Sequence, residues 1–217
     1  MRVLSVNISQ LIRVPYKGEP LETGIFKKPV GSAAVSVTIE GLAGDAQADR
    51  KHHGGKDKAV YVYSLENQLH WAGIRGEAAY PPGHFGENLS VSGMTDDVVH
   101  IGDIFAVGST IMQVTQPRVP CYKLGIVFGD PAFVGEFLIS GRTGFYLRVL
   151  EAGSVRRGDD IRQVSSDPLA VTIRDAMHAL IKGPKQQEWI RRVLAVQGLS
   201  EAWRQDLSNR LEMTGGS

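Results

Sequence analysis

Two kinds of hydrophobic pattern divide this chain, and the change between them constrains the fold more than any other feature. Up to about residue 165 the apolar residues come in short, β-branched or aromatic runs: Val3 to Ile8, Ala34 to Ile39, Val60 to Tyr63, Leu89 to Val91, Ile104 to Val107, Ile111 to Val114 and Phe145 to Leu150. Runs this short, punctuated by turn residues, read as strands of a barrel or sandwich. Gly108-Ser109 between two of them fits a two-residue hairpin turn. A helix is expected from Ser64, with Leu65, Leu69 and Ala72 on one face and Gly73 near its end, and a short one around Ala132 to Leu138.

The pattern changes at Val164-Ser-Ser-Asp-Pro168, a polar stretch that reads as a linker. Thr172 with Asp175 resembles a helix cap, after which Ile173, Ala176, Met177, Leu180 and Ile181 share one helical face. Gly183-Pro184 closes that helix and opens a second, with Trp189, Ile190, Val193 and Leu194 in a stripe. Gly198 and Ser200 precede a third, carrying Trp203, Leu207 and Leu211. The expected class is α+β, mainly β, with a strand domain over 1–165 and a small three-helix bundle over 169–213. Such a bundle is too small to be stable by itself and is expected to pack on the strands.

Charge and cysteine count remove several function classes. With 24 Lys and Arg against 23 Asp and Glu, the net charge of +1 exerts no general pull on nucleic acid or anionic membrane. One cysteine in 217 residues excludes an intramolecular disulfide, a four-cysteine zinc site and a four-cysteine iron–sulfur cluster built from this chain alone. No run approaches the eighteen or so apolar residues of a membrane-spanning helix, so a soluble, cytoplasmic protein is expected.

Three segments hold polar residues that strand patterning leaves unexplained. The first, Gly41 to Gly55, is glycine-rich and charged, and Lys56 and Lys58 follow it. Gly54-Gly55 allows positive φ and close backbone approach, so its main-chain N–H groups can face an anion; a solvated glycine turn is the plainer alternative. A zinc site from His52 and His53 is disfavoured, because adjacent side chains in an extended segment point opposite ways. The second, Pro82 to Leu89, presents His84, Glu87 and Asn88, a weak signal that an ordinary loop histidine also satisfies. The third is Gln116-Pro-Arg-Val-Pro-Cys-Tyr-Lys123. Here Pro117 and Pro120 stiffen the approach to Cys121, and Arg118 and Lys123 lie near it in sequence, a setting that suits a metal ligand or nucleophile better than a core filler. Ser140-Gly-Arg-Thr-Gly144 adds Arg142, flanked by glycines before a strand; its plain alternative is a turn.

In that order, GLAGDAQADRKHHGG, GHFGENL, IGDIFAVGSTIMQVTQPRVPCYKLG and GRTGFYLRVLEAG resemble the MOSC family, named for the C-terminal domain of molybdenum-cofactor sulfurases. The resemblance covers most of residues 35–165, and the tail is similar to the three-helix extension of the stand-alone bacterial branch. That branch is associated with protection against N-hydroxylated base analogues such as 6-hydroxylaminopurine. The resemblance implies a β-barrel core with a cleft for a pyranopterin-dithiolene molybdenum cofactor, with Cys121 as ligand to molybdenum or carrier of sulfur. It further implies that the pterin and its phosphate are held by residues among Asp45, Gly54, Gly55, Asn88, Arg118, Lys123 and Arg142, with His53 as an acid near the substrate.

The leading expectation is an oxidoreductase that reduces small N-hydroxylated compounds. A thiolate is a soft ligand suited to a metal already held by dithiolene sulfurs. The chain has neither cysteines for a cluster nor a dinucleotide-binding glycine pattern, so a separate flavin or iron–sulfur donor protein is expected. Two alternatives stand beside it: sulfur transfer through a Cys121 persulfide, and a non-catalytic carrier of the cofactor. The helical tail offers a surface for the donor or for a homodimer, although its aromatic stripe also suits a core.

Overall fold

A computed structural model describes residues 1–46, 55–182 and 187–215. In chain order the elements are β1 (Arg2–Ile8), β2 (Ile12–Tyr16), β3 (Glu19–Thr23), β4 (Lys28–Pro29), β5 (Val35–Thr38), β6 (Gly41–Leu42), β7 (Val60–Ser64), α1 (Leu65–Arg75), β8 (Leu89–Ser92), β9 (Ile104–Val107), β10 (Thr110–Pro117), α2 (Tyr122–Phe128), α3 (Phe133–Ser140), β11 (Phe145–Glu151), β12 (Gly153–Val155), β13 (Ile161–Ser165), α4 (Ile173–Lys182), α5 (Gln187–Ala195) and α6 (Glu201–Gly215). A single 3-10 turn, Lys56–Lys58, precedes β7.

The main sheet runs β13-β9-β10-β11-β7-β8-β1-β4. Its neighbours are antiparallel except β7 and β8, which run parallel because α1 forms part of the crossover between them. The sheet curls until its ends meet: Arg2 bridges Asp160, Val3 N–H reaches Asp159 O at 2.9 Å and Ile161 N–H reaches Met1 O at 3.0 Å. Closure removes most of the exposed edge and makes a barrel. The hairpin β2–β3 and the small sheet β12-β5-β6 stand outside it. Among the described residues, no helix is long and apolar enough to cross a membrane.

Strand β7 is buried on both faces, so it shows how the layers are divided. Period two sends Val60 and Val62 to the main core, with Val3, Leu89, Val114 and Leu147. Tyr61 and Tyr63 go to a second, aromatic core with Trp71, Phe85, Phe133 and Phe137, beneath α1, α2 and α3. The main core continues without a break into the tail, since Ile173, Met177, Ile190, Val193, Trp203 and Leu207 belong to the same cluster. The Thr172 cap is present, its Oγ1 accepting Asp175 N–H at 3.0 Å, and Ser200 Oγ likewise accepts Trp203 N–H at 3.2 Å. Gly183-Pro184 lies outside the described residues.

Gly108 takes φ +57 in the turn between β9 and β10, where a Cβ would stand 2.4 Å from Ser154 O, so this hairpin requires glycine. The strands expected from apolar runs all form. Strands β2, β3, β4, β6, β12 and β13 are missing from the expectation; β2, β3, β4 and β13 are mostly exposed, and β6 and β12 are only two and three residues long. A strand with little buried surface leaves little alternation to read.

Helix α1 departs from its expected face. It runs past Gly73 to a left-handed cap at Gly76, while Leu65 and Leu69 are exposed. Its buried face carries Asn67 and Gln68 beside Trp71 and Ala72. The reason lies in two buried carboxylates that need donors. Gln68 Nε2 donates to Glu87 at 3.0 Å, and Asn67 Nδ2 donates to Asp96. Asp96 also accepts Thr143 N–H at 3.0 Å and Gly144 N–H at 2.8 Å, fixing the loop before β11. Removing that carboxylate orphans all three donors, so Asp96→Ala is expected to cost about 3 kcal/mol in urea unfolding. Leu69→Ala, on the exposed face, is expected to change stability by about 0.5 kcal/mol or less in the same measurement.

Candidate functional site

The loop held by Asp96 is one wall of a site at the end of β10. Pro117 closes that strand, and one further backbone bond, Arg118 N–H to Gly144 O at 3.0 Å, carries the pairing with the β11 side to Arg118. Pro120 then delivers Cys121 in an extended conformation as the residue before α2, with no side-chain capping bond. Its thiol is free and half-buried. Tyr61 Oη donates to Thr143 O at 2.8 Å and Tyr63 Oη to Arg142 O at 3.0 Å, so both tyrosines brace the same loop.

Arg118 is 5% exposed. Its guanidinium lies over the Tyr61 ring at 4.9 Å and the Phe137 ring at 5.6 Å, and its electrostatic neighbours are Tyr61, Tyr146, Cys121 and Tyr63. Among the described residues it pairs with no carboxylate, and its Nη1 is buried without a hydrogen-bond partner. Two residues earlier, Gln116 Oε1 is also buried without one. A guanidinium stripped of water and left without a counter-ion is expensive, and an anion brought from outside would supply the missing charge. Tyr146, half-buried on β11, packs its ring on Tyr61 at 5.4 Å and senses both Arg118 and Cys121. Burial raises its pKa against the opposing field of Arg118, so the phenol stays protonated and can donate.

The 3-10 turn before β7 adjoins this corner and is tied to the tail. Thr115 Oγ1 bonds Asp57 O at 2.6 Å and Tyr146 O at 3.0 Å. Asp57 Oδ1 stands 3.0 Å from Arg148 Nη2, and its Oδ2 accepts Glu201 N–H from the start of α6 at 3.2 Å. Gly55, with φ +91, opens this turn in free space and accepts Lys58 N–H through its carbonyl.

The structure therefore brings together Arg118 and Cys121, with Lys123 half-buried on α2 two residues further on. Asp45 and Asn88 bond within the scaffold, and Asp45 also lines an open pocket with Gly41, Gly55 and Ala59. Asp45 forms a buried ion pair with Lys27 at 2.5 Å and accepts Ser9 N–H and Asn88 Nδ2. Burial lowers the pKa of Lys27, against the attraction of Asp45. Asn88 also accepts Tyr61 N–H at 3.0 Å. Glu87 accepts Gly83 N–H, Phe85 N–H, Gln68 and Ser90, and His84 stacks on Tyr80 at 4.8 Å, so the second polar segment is structural. Arg142 spends its guanidinium away from Cys121, its Nη1 donating to Asn67 Oδ1 at 3.2 Å. His53 and Gly54 lie outside the described residues. Among the described residues, no group of three or more His, Cys, Asp or Glu side chains converges on a metal position.

Tyr61, Tyr146 and Gln116 escaped the sequence reading. The one available signal was the face of β11 opposite Phe145, Leu147 and Val149, where Tyr146 and Arg148 alternate with the core.

Comparison with known proteins agrees with this architecture in both parts. The MOSC domain family matches residues 49–162, and the YiiM-like, 3-alpha helix domain matches residues 171–213. The chain is 40% identical to the uncharacterized protein YflK of Bacillus subtilis (strain 168), over 93% of this chain and 90% of that one. It is 33% identical to a protein named Reductase from Gibberella moniliformis (strain M3125 / FGSC 7600), over 66% of this chain and 26% of that protein. The crystal structure of YiiM from Geobacillus stearothermophilus superposes with a TM-score of 0.81 at 28% identity, covering 97% of this chain and 98% of that one.

The uncompensated charge gives a signed expectation. In phosphate-free buffer, Arg118→Met is expected to leave the urea midpoint unchanged or to raise stability by about 1 kcal/mol, because it removes a buried cation that pairs with no carboxylate among the described residues. A loss of about 2 kcal/mol would instead mean that Arg118 is already compensated within the chain.

Proposed function

The chain belongs to the MOSC family and carries the YiiM-like three-helix domain, and from that premise we propose that it is an oxidoreductase reducing small N-hydroxylated compounds with a bound molybdenum cofactor. The observation that carries this reading is the buried guanidinium of Arg118, with Nη1 unpartnered and no carboxylate paired to it among the described residues, as an electrostatic neighbour of the chain's one cysteine. The residues fit the group: it is anionic and needs both a cation and a soft ligand, and the site has a cation short of an anion and a free thiol. The reductase name of a relative supports the same class.

Cys121 would ligate molybdenum, and Arg118 with Lys123 would hold anionic oxygen of the cofactor. When bound, the cofactor supplies the two-electron chemistry. The net reaction breaks the N–O bond of R–NHOH, consumes two electrons and two protons, and yields R–NH2 and water. Tyr146, kept protonated by burial, would donate a hydrogen bond toward the substrate, while the ring wall of Tyr61 and Phe137 excludes water from Arg118. One cysteine cannot build an iron–sulfur cluster, so the electrons come from a separate flavin or iron–sulfur protein.

Protein made in a host that synthesises the cofactor should co-purify with about one molybdenum per chain and reduce 6-hydroxylaminopurine with an artificial electron donor. Cys121→Ser should lower kcat/KM by about 100-fold or more, in line with the loss of a direct ligand. Stoichiometric molybdenum without turnover would favour a carrier. A Cys121→Ser protein as active as the parent would remove the thiol from the chemistry altogether.

A further inference from the structure

A second arginine-lined corner lies where the barrel meets the tail. Arg142 Nη1 donates to Asn67 Oδ1 on α1. From α4, Arg174 reaches the same corner, its Nη1 standing 3.4 Å from Asp97 Oδ2. Gly141 permits the close approach, since a Cβ there would stand 3.2 Å from Arg174 Cγ and 3.3 Å from His178 Nε2. One residue fixes both arginine backbones. The Asp96 carboxylate holds Thr143 and Gly144, next to Arg142, and the Asp96 carbonyl accepts Arg174 N–H at 2.8 Å.

The bonding at Arg174 is incomplete in a specific way. Its Nη1 faces Asp97, but Nε and Nη2 are closed off from solvent and have no hydrogen-bond partner. Those two N–H groups form the side-on fork of the guanidinium, the edge that receives two oxygens of one oxyanion. The ion pair at the other edge is with a carboxylate 47% exposed, Arg142 bonds a neutral amide, and the buried Asp96 carboxylate is taken up by Asn67 and the backbone of residues 143 and 144, so neither acid reaches the fork.

We propose that this corner binds a phosphate-class dianion, two of its oxygens on the Nε/Nη2 fork of Arg174, with Arg142, His70 and His178 alongside. The two histidines lie within the field of these arginines: burial and then Arg142 and Arg174 lower the pKa of His70, and burial followed by Lys182 and Arg174, against Asp175, lowers that of His178. The site is independent of the redox chemistry assigned to Cys121. Its position at the junction of barrel and tail gives the bound anion a means of strengthening that junction.

Isothermal titration of the full chain with inorganic phosphate, in phosphate-free buffer, tests the site. The Arg118→Met background removes the unpartnered Nη1 of Arg118 as a competing phosphate site. That variant should still bind one phosphate, and adding Arg174→Gln should weaken binding at least tenfold with the thermal midpoint in chloride buffer unchanged. Adenosine monophosphate bound more tightly than phosphate identifies a phosphomonoester ligand, whereas equal or weaker binding identifies free phosphate; either result supports the site. No phosphate bound by Arg118→Met, or equal affinity with and without Arg174→Gln, overturns it. In the unmutated chain, the Arg174 Nε–H resonance should shift on phosphate addition, and a resonance that does not move also overturns it.

Discussion

The buried carboxylate of Asp96 is the constraint on which the rest of this structure leans. It takes hydrogen bonds from α1 through Asn67 and from the backbone of residues 143 and 144. The loop it fixes receives both buried tyrosines of β7 and the backbone N–H of Arg118. Burial alone pushes the pKa of Asp96 up, and the hydrogen bonds work against that rise. The carboxylate is expensive to bury, but its cost fixes a unique arrangement of three segments far apart in sequence.

On that frame the protein keeps charge it does not neutralise. Arg118 is walled by aromatic rings with an idle N–H, and Arg174 keeps a whole fork idle. Arg75, by contrast, donates to Asp130 at 3.1 Å and has no N–H group buried without a partner. For Arg118 the proposed occupant is the molybdenum cofactor; the proposed site at Arg174 rests on bonding geometry alone. The tail takes part in both regions, through Glu201 N–H on Asp57 at the 3-10 turn and through Arg174 at the other corner.

Much of this was legible beforehand because burial leaves a local trace. Strands such as β9 and β11 and the tail helices bury one face, and their apolar periodicity reports it. The setting of Cys121 between prolines and cations was equally plain. The face of α1 was not, because it buries amides to serve carboxylates 19 and 29 residues away. Asp45 and Asn88 looked available for a ligand because their partners, Lys27 and Tyr61 N–H, are distant in sequence.

The amino-acid sequence by itself determined the strand-to-helix order, the helix caps and the single thiol held in a stiff, basic segment. These are consequences of backbone propensity and burial periodicity, which act over a few residues. Only the tertiary structure decided which polar side chains are satisfied: that Asp45 and Asn88 bond each other, that Arg142 turns to Asn67, and that Arg118 is a neighbour of Cys121 with no carboxylate paired to it among the described residues. Satisfaction is a property of pairs brought together by folding, and one member of a pair carries no mark of whether the other will arrive.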